Sequence, residues 1–164
     1  MIYWITGLPG SGKTTLARIL QEDLISEGRS TVLLDGDELR KCFLNHFGYS
    51  RSERVLLGNI YINLAELFNR QKIDVIVSTV SMYSEIYTRL ETEKKSNEIK
   101  VIWLNASKEL LDSRNQKNLR NLNTINSPGI NLEINYPINY DLIFSGQEDK
   151  QTYLKLIKEN LDSE

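Results

Sequence analysis

The 164-residue sequence is poor in cysteine and lacks any long hydrophobic run. Its one cysteine, Cys42, cannot form an internal disulfide, so a reducing compartment is allowed. We expect this side chain to be a small buried hydrophobe. No apolar stretch of about 18 residues is present, which argues against a membrane-spanning helix. The apolar segment near the start lacks the basic flank of a signal peptide. The sequence therefore predicts a cytoplasmic protein with no membrane partner.

The sequence also has no excess of positive charge. Lysine and arginine number 20 against 22 aspartates and glutamates, which gives a net charge of −2. Proteins that track many nucleic-acid phosphates carry a clear basic excess, so the balance argues against a nucleic-acid partner. Apolar residues make up 40% of the chain and charged residues 26%, as in ordinary globular proteins. The length predicts a single domain over residues 1–164.

Short apolar runs alternate with helical patterns along the chain. Nearly continuous apolar runs are typical of parallel strands that are covered on both faces. Leucines four residues apart follow the first run, and further helical patterns cover about 52–70 and the end of the chain. This alternation predicts an α/β fold, a five-stranded parallel sheet with helices on both faces. The predicted strands are 2–6, 31–34, 75–77, 101–104 and 142–144.

The stretch GLPGSGKTT at residues 7–15 follows the first predicted strand and opens a helical pattern. It matches the phosphate-binding P-loop, whose glycines let backbone N–H groups converge on phosphate oxygens. Lys13 would place a cation on the β- and γ-phosphates of ATP, and the hydroxyl of Thr14 would bind Mg²⁺. The residues predicted to contact the nucleotide here are Gly7, Pro9, Gly10, Ser11, Gly12, Lys13, Thr14 and Thr15.

The second predicted strand leads into the segment 35–40, which reads Asp-Gly-Asp-Glu-Leu-Arg. The carboxyl ends of parallel strands line the ligand crevice, so two carboxylates and an arginine should lie near the γ-phosphate. A carboxylate there can accept the proton of an attacking hydroxyl or help to hold Mg²⁺. An arginine can bind a phosphate of the acceptor bidentately. The alternative is a helix-capping aspartate followed by a surface arginine.

Four segments together resemble the adenylylsulfate kinase family: GLPGSGKTT, LDGDELR, HFGYSRSER and VSTVSMY. The resemblance covers nearly the whole chain and implies a P-loop kinase fold, ATP with Mg²⁺ as donor, and often a homodimer. It implies a nucleotide acceptor that is phosphorylated on its ribose 3′-hydroxyl, with Asp37 as the catalytic base and Asp35 in support. Met82 stands where the family has a proline. The acceptor contacts that we carry over are Arg40, Tyr49, Arg54, Asn59, Ser81, Tyr83 and Lys117.

The acceptor side departs from the family pattern. Residues 56–59 read Leu-Leu-Gly-Asn where the family has Glu-Asn-Ile-Arg, and 117–120 read Lys-Asn-Leu-Arg in place of Lys-Gly-Leu-Tyr. Residues 127–131 lose an aromatic side chain suited to stacking on adenine. The pattern is similar to a divergent branch whose members phosphorylate cytidine diphosphoramidate for capsule decoration. An ordinary adenylylsulfate kinase with compensating residues remains the alternative.

Residues 114–138 are rich in asparagine, contain two prolines and show no clean period. A loop of this length in a compact domain is usually functional or disordered. We expect a lid that closes over the phosphates, with Arg114 in contact with ATP. A solvated surface loop is the alternative.

Two further classes of function remain open. One is a P-loop kinase for a small sugar or acid, and the other is a regulator that binds ATP without transfer. The motif DGD-x-x-R and the segment around Arg54 favour a nucleotide acceptor. Carboxylates placed directly after the second strand argue against a regulator.

Overall fold

A computed structural model describes residues 1–44, 46–117, 128–129 and 132–161, with the backbone alone at 115–117 and 161. Strands and helices alternate along these residues. The strands are β1 (Ile2–Gly7), β2 (Thr31–Asp35), β3 (Asp74–Thr79), β4 (Ile99–Leu104) and β5 (Leu142–Phe144). The helices are α1 (Lys13–Ser26), α2 (Gly36–Cys42), α3 (Arg51–Asn69), α4 (Ser84–Glu93), α5 (Lys108–Lys117) and α6 (Lys150–Leu161).

The five strands form one parallel sheet in the order β2-β3-β1-β4-β5. Alternate residues of the central strand β1 point to opposite faces, as strand geometry requires. Ile2 and Trp4 pack with α3 and α4, whereas Tyr3 and Ile5 pack with α1 and α6. The predicted α/β fold with helices on both faces of a parallel sheet is confirmed. In the described part of the chain, no helix has the length and apolarity that a membrane crossing needs.

A capping box fixes where helix α3 begins. The Ser50 side chain accepts a hydrogen bond from the Glu53 amide, and the Glu53 carboxylate accepts one from the Ser50 amide. Hydrogen bonds from the Ser50 hydroxyl and from the amides of Gly48 and Ser50 lower the pKa of the Glu53 carboxyl. The cap therefore fixes the first turn of α3, which begins three residues before Arg54.

The structure corrects two expectations. Cys42 is exposed, because it ends the seven-residue helix α2, which has no buried residue. Arg114 lies on helix α5 and not in a loop, so the predicted lid segment 114–138 begins with helix. Most of the rest of that segment, 118–127 and 130–131, lies outside the described residues.

Candidate active site

The loop between β1 and α1 has the backbone geometry of a phosphate cradle. Gly7 ends β1, and a Cβ atom there would lie 2.6 Å from the Leu104 carbonyl oxygen on the neighbouring strand. Gly12 directly precedes α1 with φ 105°, in the left-handed region that favours glycine. The first amides of α1 therefore point from the positive end of a 14-residue helix toward the space enclosed by the loop.

Two side chains at the start of α1 face this loop. The Lys13 ammonium is largely buried and donates a hydrogen bond of 2.8 Å to the Leu8 carbonyl oxygen. The Thr14 hydroxyl donates one of 2.8 Å to Oδ2 of Asp35, at the end of β2. Hydroxyl and carboxylate oxygens are ligands that Mg²⁺ prefers, so the pair fits that ion. The described residues contain no group of three or more His, Cys, Asp or Glu side chains able to hold a metal. The pair therefore fits a metal that is held jointly with nucleotide phosphates.

A cavity of about 1220 Å³ extends from the loop across the carboxyl edge of the sheet. Ligand pockets usually measure about 300–1,000 Å³, so this cavity exceeds the usual size of a site for one ligand. Most of the predicted site residues line it, and Gly7, Ser11 and Asn59 do not. The predicted residues on its wall are Pro9, Gly10, Gly12, Lys13, Thr14, Thr15, Asp35, Asp37, Arg40, Tyr49, Arg54, Ser81, Tyr83 and Arg114.

Two arginines meet on one exposed aromatic ring at the far end of the cavity. The guanidinium carbons of Arg40 and Arg54 lie 4.6 and 5.3 Å from the centroid of the Tyr49 ring. Backbone carbonyls hold both in place: Arg40 donates to the Gly48 oxygen at 2.9 Å and Arg54 to the Tyr49 oxygen at 3.0 Å. Burial lowers the pKa of Arg54, and the charge of Arg40 adds to this effect. This concentration of positive charge suits an anionic ligand such as a phosphate.

Hydroxyl groups follow strand β3 on the same wall. The Ser81 hydroxyl oxygen lies 3.0 Å from that of Thr79. Tyr83 is fully buried, and its hydroxyl finds no hydrogen-bond partner among the described residues. Burial raises the pKa of Tyr83, so the group stays protonated and can donate. A buried hydroxyl on a cavity wall is a good donor for a polar ligand.

Arg114 connects the phosphate loop to the turn that follows β5. Its guanidinium donates to the Gly10 carbonyl oxygen at 2.9 Å and to the Gly146 carbonyl oxygen at 2.6 Å. The Glu148 carboxylate in turn accepts from the Ser145 and Gly146 amides. Arg114 thus reaches the cavity from α5, at the end that contains the phosphate loop.

The last residues of the predicted lid segment reach the same cavity. Pro128, Gly129 and Tyr136 line it, and the Tyr136 ring packs on Trp103 with a centroid distance of 5.8 Å. Asn135 attaches this stretch to α4, because its side-chain oxygen accepts from the Ser84 amide at 3.1 Å. The described end of the segment therefore forms part of the cavity wall.

Two predicted acceptor contacts are not placed at the cavity. The Asn59 side chain donates to the Val55 carbonyl oxygen at 2.9 Å and accepts from Arg89 of α4 at 3.1 Å. Residues advance by about 100° along a helix, so Asn59 lies about 200° from Leu57, which does line the cavity. The side chain of Lys117 lies outside the described residues.

Sequence reasoning missed Leu57 and Tyr61, which join Arg54 on the cavity face of α3. Their spacing is three and seven residues from Arg54, which is the spacing of one helix face. The Tyr61 hydroxyl donates to the Gly36 carbonyl oxygen at 3.3 Å. The helical period, counted from Arg54, is the signal that would have found both residues.

The parallel sheet, the phosphate loop after its central strand and the carboxylates after β2 define a P-loop phosphotransferase. The solved APS kinase of Mycobacterium tuberculosis, in complex with AMPPNP and APS, has this fold with a TM-score of 0.88. It is 24% identical, and the match covers 99% of this chain and 97% of that one, so the likeness concerns the fold. The adenylylsulphate kinase family model matches residues 1–145. The chain belongs to the adenylylsulphate kinase family.

Two curated relatives match different shares of the chain. A cytidine diphosphoramidate kinase of Campylobacter jejuni is 33% identical over 161 residues, which cover 98% of this chain and 89% of that protein. A probable adenylyl-sulfate kinase of Archaeoglobus fulgidus is 41% identical over 95 residues, covering 57% of this chain and 61% of that protein. Both relatives are kinases, in agreement with the phosphotransferase fold. The match to the first extends over nearly all of the chain.

Proposed function

We propose that this protein transfers the γ-phosphoryl group of ATP to the ribose 3′-hydroxyl of a nucleotide 5′-anhydride, and that the acceptor is cytidine diphosphoramidate. The observation that carries the proposal is that one continuous cavity contains both the residues predicted to bind the donor and those predicted to bind the acceptor. Lys13 and Thr14 lie on its donor side, and Asp37, Arg40 and Arg54 lie on its acceptor side. A transfer between two bound nucleotides needs this continuity, because donor and acceptor must meet in line.

The donor half would bind ATP through the loop amides, the Lys13 ammonium and the Arg114 guanidinium. Lys13 would leave the Leu8 carbonyl for the β- and γ-phosphates, where its charge stabilises the transferring group. Mg²⁺, held with the nucleotide by Thr14 and Asp35, would neutralise phosphate charge. Closure of the segment 114–138 over the phosphates would exclude water as a competing acceptor.

The acceptor half would activate and orient the ribose hydroxyl. Its oxygen forms a bond to the γ-phosphorus while the bond to the ADP leaving group breaks, and the Asp37 carboxylate takes the hydroxyl proton. Arg40 and Arg54 would bind the 5′-anhydride through bidentate hydrogen bonds. The hydroxyls of Ser81 and Tyr83 would donate to or accept from the nucleotide.

Two observations favour cytidine diphosphoramidate as the acceptor. The relative of that name matches nearly the whole chain, including the part after residue 117 where the family pattern changes. Residues 127–131 lack the aromatic side chain that the family has there, and a pyrimidine needs less stacking surface than a purine. This acceptor would place the protein in the synthesis of capsule phosphoramidate groups.

Adenylylsulfate is the second candidate acceptor. It is favoured by the family model and by the 41% identity to the Archaeoglobus fulgidus relative, which is named a probable adenylyl-sulfate kinase. A homodimer and a cytoplasmic location, both expected from the sequence, stay predictions.

A transfer assay with both acceptors tests the proposal. With ATP and Mg²⁺, we expect kcat/KM for cytidine diphosphoramidate to exceed that for adenylylsulfate by at least about tenfold, because base contacts of roughly 1–3 kcal/mol differ between the two. Product 3′-phosphorylation is checked by NMR. A preference for adenylylsulfate would overturn the choice of acceptor. Phosphorylation of neither nucleotide would overturn the function itself.

Replacement of Arg54 by alanine is expected to raise KM for the acceptor by about tenfold to a hundredfold, because a charge-assisted contact is lost. KM for ATP should change less than about twofold, since Arg54 lies at the acceptor end. Steady-state kinetics with each substrate varied in turn measure both values.

Arg70→Ala is the matched control at the end of the same helix. Arg70 directly follows α3, is exposed and does not line the cavity. Exposed substitutions away from a site usually have small effects, so this variant should retain both KM values. Equal effects of the two substitutions on KM for the acceptor would show that Arg54 does not belong to the acceptor site.

A further inference from the structure

Tyr61 lies on helix α3 and contacts the start of α2. Its side chain is 2% exposed, and it lines the cavity from the middle of α3. The hydroxyl donates to the carbonyl oxygen of Gly36, the first residue of α2, at 3.3 Å. The next residue along α2 is Asp37. Tyr61 therefore contacts the backbone beside the proposed base and not the base itself.

Helix α2 packs on the core only through a partly buried side chain, that of Leu39. It has seven residues, none of them buried, and a helix this short is not stable without tertiary contacts. Polar contacts near its start add to the stability of the helix. Oδ1 of Asp35 accepts a hydrogen bond from the Asp37 amide at 3.0 Å. On the sheet side, a Cβ atom at Gly36 would lie 3.3 Å from the Ser78 carbonyl oxygen, so the helix start lies close to β3.

The Tyr61 hydroxyl, on helix α3, adds a further polar contact to the start of α2. Burial raises the pKa of Tyr61 to about 12, so the hydroxyl keeps its proton at neutral pH and remains a donor. The charged groups that act on it are the carboxylates of Asp35 and Asp37 and the guanidiniums of Arg40 and Arg54. The hydroxyl is therefore available as a donor to the Gly36 carbonyl oxygen at neutral pH.

We propose that Tyr61 is a positioning residue for the reaction: its hydroxyl holds the Gly36 carbonyl and so fixes the Asp37 carboxylate in line with the acceptor hydroxyl. The inference rests on the proposed role of Asp37 as the proton acceptor. A base that shifts by a fraction of an ångström loses rate without losing substrate affinity, because alignment matters most in the transition state.

Hydrogen exchange tests the structural step without any substrate. In Tyr61→Phe, we expect the amides of residues 36–42 to exchange at least about threefold faster than in the wild type. Tyr87→Phe is the control, because this tyrosine also has a buried hydroxyl but does not line the cavity. Melting temperatures of both variants confirm that they fold. Unchanged exchange in Tyr61→Phe would overturn the proposal.

A double-mutant cycle tests the chemical step. Tyr61→Phe should lower kcat by about tenfold and leave KM for ATP and for the acceptor within about twofold. In an Asp37→Asn background the same substitution should lower the single-turnover rate by less than about twofold, since the group it positions is gone. Equal losses in both backgrounds, or an unchanged kcat in the single variant, would overturn the positioning role. If the wild type phosphorylates no nucleotide, the proposed function fails, while the exchange result still decides whether Tyr61 holds α2.

Discussion

Replacement of Lys13 by methionine is expected to lower kcat by at least about a hundredfold with every acceptor tested. Methionine keeps the length and apolar stem of lysine, so the largely buried position stays filled while the charge is removed. Removal of one group that stabilises transition-state charge usually costs about 10²–10³ in kcat, and the γ-phosphoryl carries most of that charge here. Single-turnover transfer from labelled ATP measures the loss.

Lys155→Met is the control for the Lys13 variant. Lys155 lies on α6, is exposed, and pairs with Glu159 at 3.8 Å. The same chemical change there should leave the rate within about twofold, because a surface pair contributes little. A Lys13 variant that keeps the wild-type rate would contradict the assignment of 7–15 as the triphosphate loop. Circular dichroism and the melting temperature show whether a slow variant is folded.

Replacement of Asp37 by asparagine is expected to lower kcat by about 10²–10⁴ while ATP binding persists. Asparagine has nearly the shape of aspartate and can keep the first turn of α2, but its amide cannot take the hydroxyl proton. Proton transfer by a positioned group contributes about 10²–10⁴ to rate, which sets the size of the effect. Transfer rates and calorimetric ATP affinity, measured on the same sample, separate chemistry from binding.

Glu38→Gln provides a matched control on the next residue. The Glu38 carboxylate is exposed and pairs with Lys41 on the same helix at 2.7 Å. The substitution makes the same chemical change one position further along α2, away from the cavity wall. Its kcat should stay within about twofold of the wild type. Full activity in Asp37→Asn would exclude that carboxylate as the base, and equal losses in both variants would indicate an indirect effect on α2.

The strands and the phosphate loop could be predicted because their signals are local. The strand predicted at 142–144 has the same bounds as β5. The strand predicted at 2–6 differs from β1 by one residue, because β1 continues to Gly7. Each buried parallel strand is a continuous apolar run, and a P-loop needs glycines at fixed spacing whatever surrounds it. The sequence pattern alone therefore indicated both the α/β fold and the position of the loop.

The acceptor side could not be predicted in the same detail, because it depends on which face of a helix meets which neighbour. Asn59 was aligned to a family position, yet it bonds to Arg89 on α4. Tyr61 lies within the helix predicted over about 52–70, but the helical pattern does not indicate that its hydroxyl donates to Gly36, 25 residues away in the sequence. Helical periodicity gives relative angles along α3, but only tertiary packing sets the absolute orientation.

The strand order has an evolutionary consequence. The loop for the donor follows β1, the central strand, every residue of which is buried. The carboxylates and Arg40 follow β2, which lies at the edge of the sheet and has only one buried residue. Substitutions at such an edge disturb fewer packed neighbours than substitutions at the centre. Residues that follow β2 can therefore change at a lower cost in packing than residues of the loop that follows β1.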